Sequence, residues 1–265
     1  MERAYSAFRS VKVASGDEED QLIARVIALY DDISKRYPMA SIPHYRCSVL
    51  EGRRGQADSA LNAAKTALSL LNKDPYLFGR KGHFISSTIP RRVSYLLSQE
   101  AEELARTAGE DGKLNQETER RCISLLMEAF RCIFANLEEP TDEISAYFSQ
   151  IEYRRRLNNI VFTVVKILET SDSDWALLKK EGLDEAGFRE LLAKLHPHGI
   201  DQVQEFPICH TIGAAYYVLG EARLAKEAAE QLKYLCEHEP ADTSVEDIDL
   251  AMGEIDRWLD SVQAG

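Results

Sequence analysis

The sequence predicts an all-α chain in which antiparallel helix hairpins stack into a short solenoid, irregular in the middle. Three observations predict it. Apolar residues recur at i, i+3, i+4 and i+7 through most of the 265 residues. Glycine-marked turns join helical stretches of similar length, at Gly52–Gly55 (GRRG) and at Gly220. Almost no segment alternates with period two; the run His83–Ile89 is β-compatible but stands isolated between turn residues, with no second strand to pair with.

The first helix is read from Leu22, Val26, Leu29, Tyr30, Ile33 and Tyr37, which share one face, and Pro38 ends it. A hairpin follows: a helix over about Pro43–Leu50, the GRRG turn, then Ala57–Leu71 with Ala60, Ala64 and Ala67 on one narrow face. Cys122–Leu137 is the most regular stretch, since Cys122, Leu125, Leu126, Ala129, Phe130, Ile133, Phe134 and Leu137 keep the helical rule throughout, and Pro140 closes it. A long helix starts near Thr141 and continues through Ile151, Leu157, Ile160, Val161 and Val164 to Leu168. Ser173 or Asp174 is the expected cap of a short piece after Trp175, Gly182 interrupts it, Asp184–Leu195 is helical, and HPHG at His196–Gly199 breaks the pattern.

The last hairpin spans about 207–240, with its turn at Gly220. Gly213 and Ala225 are expected to let its backbones approach, and Tyr216, Leu219 and Leu232 to supply buried surface. Thr243 with Glu246, or Ser244 with Asp247, marks the start of a final helix ending near Trp258 and Val262. From Glu237 to Asp260 there are nine carboxylates and one arginine, Arg257, so an acidic last helix is expected to act as a polar cap on the stack. Ala14–Glu18, Thr107–Lys113 and Pro197–Glu205 are short loops, which makes residues 1–265 a single helical-repeat domain.

A net charge of −12 opposes binding to nucleic acid or anionic membranes, because the long-range field repels polyanions before contact. Five cysteines, odd in number and scattered through apolar patterns, read as reduced core thiols, which places the protein in the cytoplasm. The N-terminal MERAYSAFRSVKV lacks the apolar core of a secretory signal, and no uncharged apolar run approaches the roughly 20 residues needed to span a bilayer. A soluble protein without a membrane partner is expected.

The two hairpin units resemble the tetratricopeptide repeat family, a 34-residue pair of antiparallel helices. In the C-terminal unit Ile212, Gly213, Tyr216, Gly220 and Ala225 fall at the family's leucine, first glycine, tyrosine, turn-glycine and second-helix alanine positions; Cys209, Ala229 and Leu232 depart from it. The unit near 43–75 keeps Gly55, Ala60 and Ala67 but carries Cys47 and Ser48 for leucine and glycine. Pro75 and Pro240 both come three residues late, so both units resemble the family with a second helix nearly a turn longer. Gly55 and Gly220 lie 165 residues apart, not a multiple of 34, which leaves divergent hairpins between them. At the positions where the family's carboxylate-clamping units place Lys and Asn, this chain has His210 and Ala214, or Tyr45 and Val49. The resemblance therefore does not imply that mode of peptide capture.

Candidate sites are few. GRRG and the GRKG of Gly79–Gly82 each set two cations between glycines, and the second continues through His83 to Arg91 and Arg92 without an intervening acid; they read first as solvated cations on glycine turns, and otherwise as a cradle for a phosphate, an acidic peptide or a nucleic-acid strand. Arg120, Arg121, Arg131 and Arg154–Arg156 fan around two helices with Glu117, Glu119, Glu128 and Glu152 at pairing distance, the pattern of a solvated face. His196, His198, Cys209 and His210 lack zinc-finger spacing, and Cys209 and His210 are adjacent on a helix and point apart, so no metal is expected. No GxSxG, HExxH or Walker motif occurs, and no catalytic residue or cofactor is assigned. The residues read as partner-binding are Arg80, Lys81, Arg91, Arg92, Tyr216 and Tyr217. The function expected is a noncatalytic interaction module, an adaptor or sensor that takes a protein or peptide in a helical groove; the alternatives are nucleic-acid or phosphate-ligand sensing through the basic turns, and the repeat region of a larger enzyme.

Overall fold

The computed structural model describes residues 2–11, 17–73, 82–108, 114–135, 137, 146–171, 175–238, 253–256 and 258. All regular structure among them is helical: α1 (Glu2–Val11), α2 (Asp17–Arg36), α3 (Ser41–Arg53), α4 (Ala57–Lys73), α5 (Gly82–Ala108), α6 (Gln116–Phe134), α7 (Ala146–Thr170), α8 (Trp175–Lys180), α9 (Glu185–Leu195), α10 (Phe206–Val218) and α11 (Ala222–His238), with a 3-10 turn at Ile200–Gln202. Helices adjacent in sequence pack as pairs, α1 with α2, α2 with α3, α3 with α4, α6 with α7 and α10 with α11. The chain divides into two compact units, Met1–Leu104 and Ala105–Gly265, where the sequence reading takes residues 1–265 as one repeat domain.

In the first unit the core is built from one face each of α1, α2 and α3. Ala4, Phe8 and Val11 meet Ile23, Val26 and Tyr30, with Cys47 and Leu50 beneath, and the Phe8 and Tyr30 rings contact edge-on at 6.5 Å. The buried face of α2 is therefore Ile23, Val26 and Tyr30, with Leu22, Leu29 and Ile33 partly buried at its margins. Tyr37, expected on that face, is 63% exposed: Pro38 clashes with a helical conformation of the residue before it, so the helix ends at Arg36 and Tyr37 turns away.

The α3–α4 hairpin matches its expected limits closely. Ala60, Ala64 and Ala67 are fully buried along α4, and the turn closes through the Gly55 amide, which donates to the Gly52 carbonyl, and the Gln56 amide, which donates to Glu51. Gly55 has φ 69°, where a side chain would clash with its own backbone.

The β-compatible run His83–Ile89 is helical, the first turns of α5. A lone strand leaves its amides and carbonyls unpaired, whereas joining the helix-forming stretch that follows satisfies them locally. Pro90 lies inside this helix and removes one amide donor from it. Beyond it, Val93, Leu96, Leu97 and Ala101 are buried.

In the second unit α6 opens with the Asn115 side chain accepting from the Thr118 amide. It buries Cys122, Leu126, Met127, Ala129, Phe130 and Ile133. Its partner α7 is buried along Leu157, Ile160, Val161, Val164, Val165, Ile167 and Leu168, and packs also on α9 and α10. The region between the hairpins is irregular, as expected. The short helix α8 is followed by Gly182 at φ 87°, and α9 is capped by the Asp184 carboxylate accepting from the Gly187 amide.

The α10–α11 hairpin turns at Gly220, φ 72°. Ala225, Ala228, Ala229, Leu232 and Leu235 line the inner side of α11. Tyr216 is buried with them, whereas Leu219, at the very end of α10, is only half-buried. The start signals at Thr243 and Ser244, the ends at Pro140 and Thr141 and the cap at Ser173 or Asp174 lie outside the described residues. The last described segment is helical at 253–256 and 258, and it is not purely polar: Ile255 and Trp258 are buried.

Candidate functional site

The residues expected to bind a partner divide between the two units. Arg80 and Lys81 lie outside the described residues. Arg91 and Arg92 sit one after the other on α5, half-buried. Arg92 turns onto α3: its Nε donates to the Ser48 hydroxyl at 3.3 Å and its Nη2 to the Ser48 carbonyl at 3.0 Å. Gly52 makes this possible, since a methyl group there would overlap the guanidinium. Burial lowers the pKa of Arg92 from its ordinary value, with the Tyr95 and Tyr45 hydroxyls opposing. Arg92 thus ties α5 to α3 where the sequence reading has a free turn cation.

Tyr216 is buried, and its hydroxyl shares a 2.8 Å hydrogen bond with His196 Nε2. Tyr217, next in the helix, is 40% exposed. His196 thereby links the loop after α9 to α10. Arg189 of α9 adds a second tie to the same hairpin, binding Glu185 at 2.8 Å and Glu221 at 2.6 Å. Arg154 makes a similar clasp, donating to Glu205 at 3.1 Å and to the Leu195 carbonyl at 3.3 Å. The triplet Arg154–Arg156 fans around α7: the first half-buried, the second exposed, the third buried. Arg131 reaches Glu181 at 2.8 Å.

Cys209 and His210 point apart, as their adjacency on a helix requires. The Cys209 thiol donates to the Ala228 carbonyl at 3.5 Å, and His210 Nε2 bonds Glu254 of the last segment. Burial pushes the Cys47 and Cys209 thiols up to about 12, the signature of inert core sulfurs. Among the described residues no group of three His, Cys, Asp or Glu side chains lies close enough to hold a metal ion, and no helix is long and apolar enough to cross a membrane.

A different arrangement stands out in the first unit. Arg46 on α3 lies over three rings, with its guanidinium carbon 4.5 Å from the centroid of Phe8, 5.6 Å from Tyr5 and 5.6 Å from Tyr45. Tyr5 and Phe8 belong to α1, which runs beside α3: farther along, Arg53 of α3 reaches the Val11 carbonyl at the end of α1. Arg92 lies 5.7 Å from the Tyr95 ring of α5, and Tyr95 accepts a 2.7 Å hydrogen bond from Gln99. Tyr5, Arg46 and Tyr45 thus group together across α1 and α3, and Arg92 groups with Tyr95 on α5, within one unit. Tyr5 is 50% and Tyr95 47% exposed.

Sequence reasoning missed Tyr5, Tyr45, Arg46 and Tyr95. No local motif marks them, because α1, α3 and α5 contribute them from segments about forty to fifty residues apart, and only the folded unit brings Tyr5 to Arg46. The one available signal is Tyr45–Arg46, an aromatic–cation pair on a helix next to the GRRG turn.

No family model and no curated protein matches the chain. Among solved structures the chain is similar to the Assembly Chaperone of RpL4 (Acl4), residues 1–338, at 13% identity and a TM-score of 0.49, over 98% of this chain and 82% of that one.

Proposed function

We propose that this chain is a noncatalytic protein-interaction module, an adaptor or sensor that takes a protein or peptide segment across the α1–α3–α5 face of its first unit. The observation that carries the reading is the grouping of Tyr5, Tyr45 and Arg46 on α1 and α3, with Arg92 and Tyr95 on α5. Tyrosine and arginine are enriched among the side chains that anchor protein interfaces, tyrosine as a rigid ring with a polar tip and arginine as a planar fork that stacks on rings and donates along its edge. Here their rings and guanidinium groups already hold one another in place, so little conformational entropy is lost when a partner docks. Beneath the face α1 and α3 share one core with α2, and Tyr45 of α3 packs against a second cluster that joins Ala67 and Leu71 of α4 to Ile89 of α5. Burial of the Cys47 and Cys209 thiols and the commitment of His196 and His210 to helix-to-helix hydrogen bonds fit a structural use of those groups.

The test is affinity capture from a lysate of the source organism with the wild type, Tyr5→Ala and Tyr95→Ala, alongside thermal melts of each protein. A partner retained by the wild type and lost from folded Tyr5→Ala or Tyr95→Ala supports the assignment to this face. A partner held equally by all three places the binding elsewhere.

A further inference from the structure

Arg46 differs from Arg53, Arg54 and Arg92 in what it contacts. Arg53 is paired with Glu19 at 2.8 Å, Arg54 with Glu51 at 3.4 Å, and Arg92 with Ser48. Arg46 makes contacts with rings only: no hydrogen bond and no ion pair joins it to any described residue. Five N–H donors in a rigid planar fork are thus held in position by stacking and left without acceptors among the described residues. Ring faces attract a guanidinium placed over them, and a charged contact made beside such apolar surface is stronger than one in open water.

We infer that Arg46 is a receptor for a single carboxylate, an Asp or Glu side chain of a docked peptide, with the flanking rings of Tyr5 and Tyr45 taking apolar side chains on either side of that acid. This rests on the reading of the α1–α3–α5 face as an interaction surface. The chemistry favours a carboxylate over a nucleic-acid strand for two reasons. One planar fork matches one carboxylate by paired hydrogen bonds, whereas a phosphodiester backbone calls for several cations in line. Arg53 and Arg54 already face carboxylates and Arg92 is bonded to Ser48, and the chain's net charge of −12 repels a polyanion. A short segment with one acid between apolar residues meets neither obstacle.

Phage display of random dodecapeptides on the immobilised full chain tests this. The expected result is a consensus with one acidic position flanked by apolar ones. Synthetic peptides of that consensus should lose about tenfold or more in affinity on Arg46→Met, which keeps the apolar stem over the rings. They should lose as much when their acid is changed to the amide, and the two losses should not add. Arg46→Lys should recover little, because an ammonium lacks the paired geometry. Enriched peptides that lack an acid, or that bind Arg46→Met as well as wild type, overturn the inference; if the same peptides lose affinity on Tyr5→Ala or Tyr95→Ala, the interaction face stands without it. Absence of any enriched peptide overturns both. A 12-nucleotide oligothymidylate probe that binds the wild type and is lost from Arg46→Met overturns the carboxylate assignment in favour of a nucleic-acid strand.

Discussion

The indole of Trp258 lies on Gly213: a methyl group at Gly213 would occupy the space of the ring. The same indole lies 5.8 Å from the His210 ring, one turn earlier on α10, and His210 bonds Glu254, one turn earlier on the last segment. A bare patch of α10 backbone thus receives a large aromatic side chain from the end of the chain. The glycine expected to bring α10 and α11 together instead seats the segment that covers α10.

Gly213→Ala should accordingly destabilise the protein by about 1–3 kcal/mol, the usual cost of forcing an extra carbon into a packed site. In a Trp258→Ala background the same change should cost far less, since the overlapping ring is gone. Urea denaturation of the four proteins measures the coupling. Equal costs in both backgrounds would show that Gly213 is demanded by something other than Trp258.

Gly52 and Arg92 form a second such pair in the first unit. Arg92→Ala removes two hydrogen bonds to Ser48 and should cost about 1–2 kcal/mol. Gly52→Ala displaces only the tip of a flexible side chain and should cost no more than Arg92→Ala. The two together should cost little beyond Arg92→Ala alone. Chemical denaturation again reads the outcome, and additive costs would sink the shared origin.

Stability should fall on mild acidification through His196 and His44. Burial holds both imidazoles below their ordinary pKa, against nearby Glu227 and Asp31 respectively. Well above about pH 6.5 both are neutral in the folded and unfolded chains and contribute no pH dependence. As pH falls through that value the unfolded chain takes up protons that the fold resists, so stability is lost until the folded pKa is passed. Melting temperatures between pH 8 and pH 5 should decline, and the decline should be shallower in His196→Gln and His44→Gln; an unchanged slope in both variants would exclude these residues as its source.

Gly220 should resist substitution for a reason unrelated to space, since nothing lies within 4 Å of the point where a methyl group would stand. Its φ of 72° is the obstacle, and Gly220→Ala should cost about 1–2 kcal/mol. Gly220→Asn should cost less, because asparagine tolerates the left-handed region. Equal losses for Ala and Asn in thermal melts would contradict the backbone explanation.

Local rules were enough to establish the helical class, the α3–α4 and α10–α11 hairpins with their glycine turns, the helix that begins after Asp184, and the divergence of Cys209 from His210. Apolar periodicity, the left-handed turn and the spacing of side chains around one helix are all properties of neighbouring residues, so they can be read along the chain. The fanning of Arg154, Arg155 and Arg156 around α7 follows from the same spacing. Which cations remain available was left to packing between helices. Arg92 reads as a free turn cation until α3 is seen to present Ser48 and Gly52 to it, and Arg46 carries no signal until α1 brings Tyr5 and Phe8 across from some forty residues away. Helical periodicity says which face of a helix is buried, but not which neighbour it meets. The run His83–Ile89 shows the same limit from the other side, because its own residues suit a strand and the helix that follows carries it into α5. Trp258 on Gly213 is the clearest instance: a small residue announces that something comes close, and only the folded chain brings the indole there, from beyond the hairpin to which the glycine belongs.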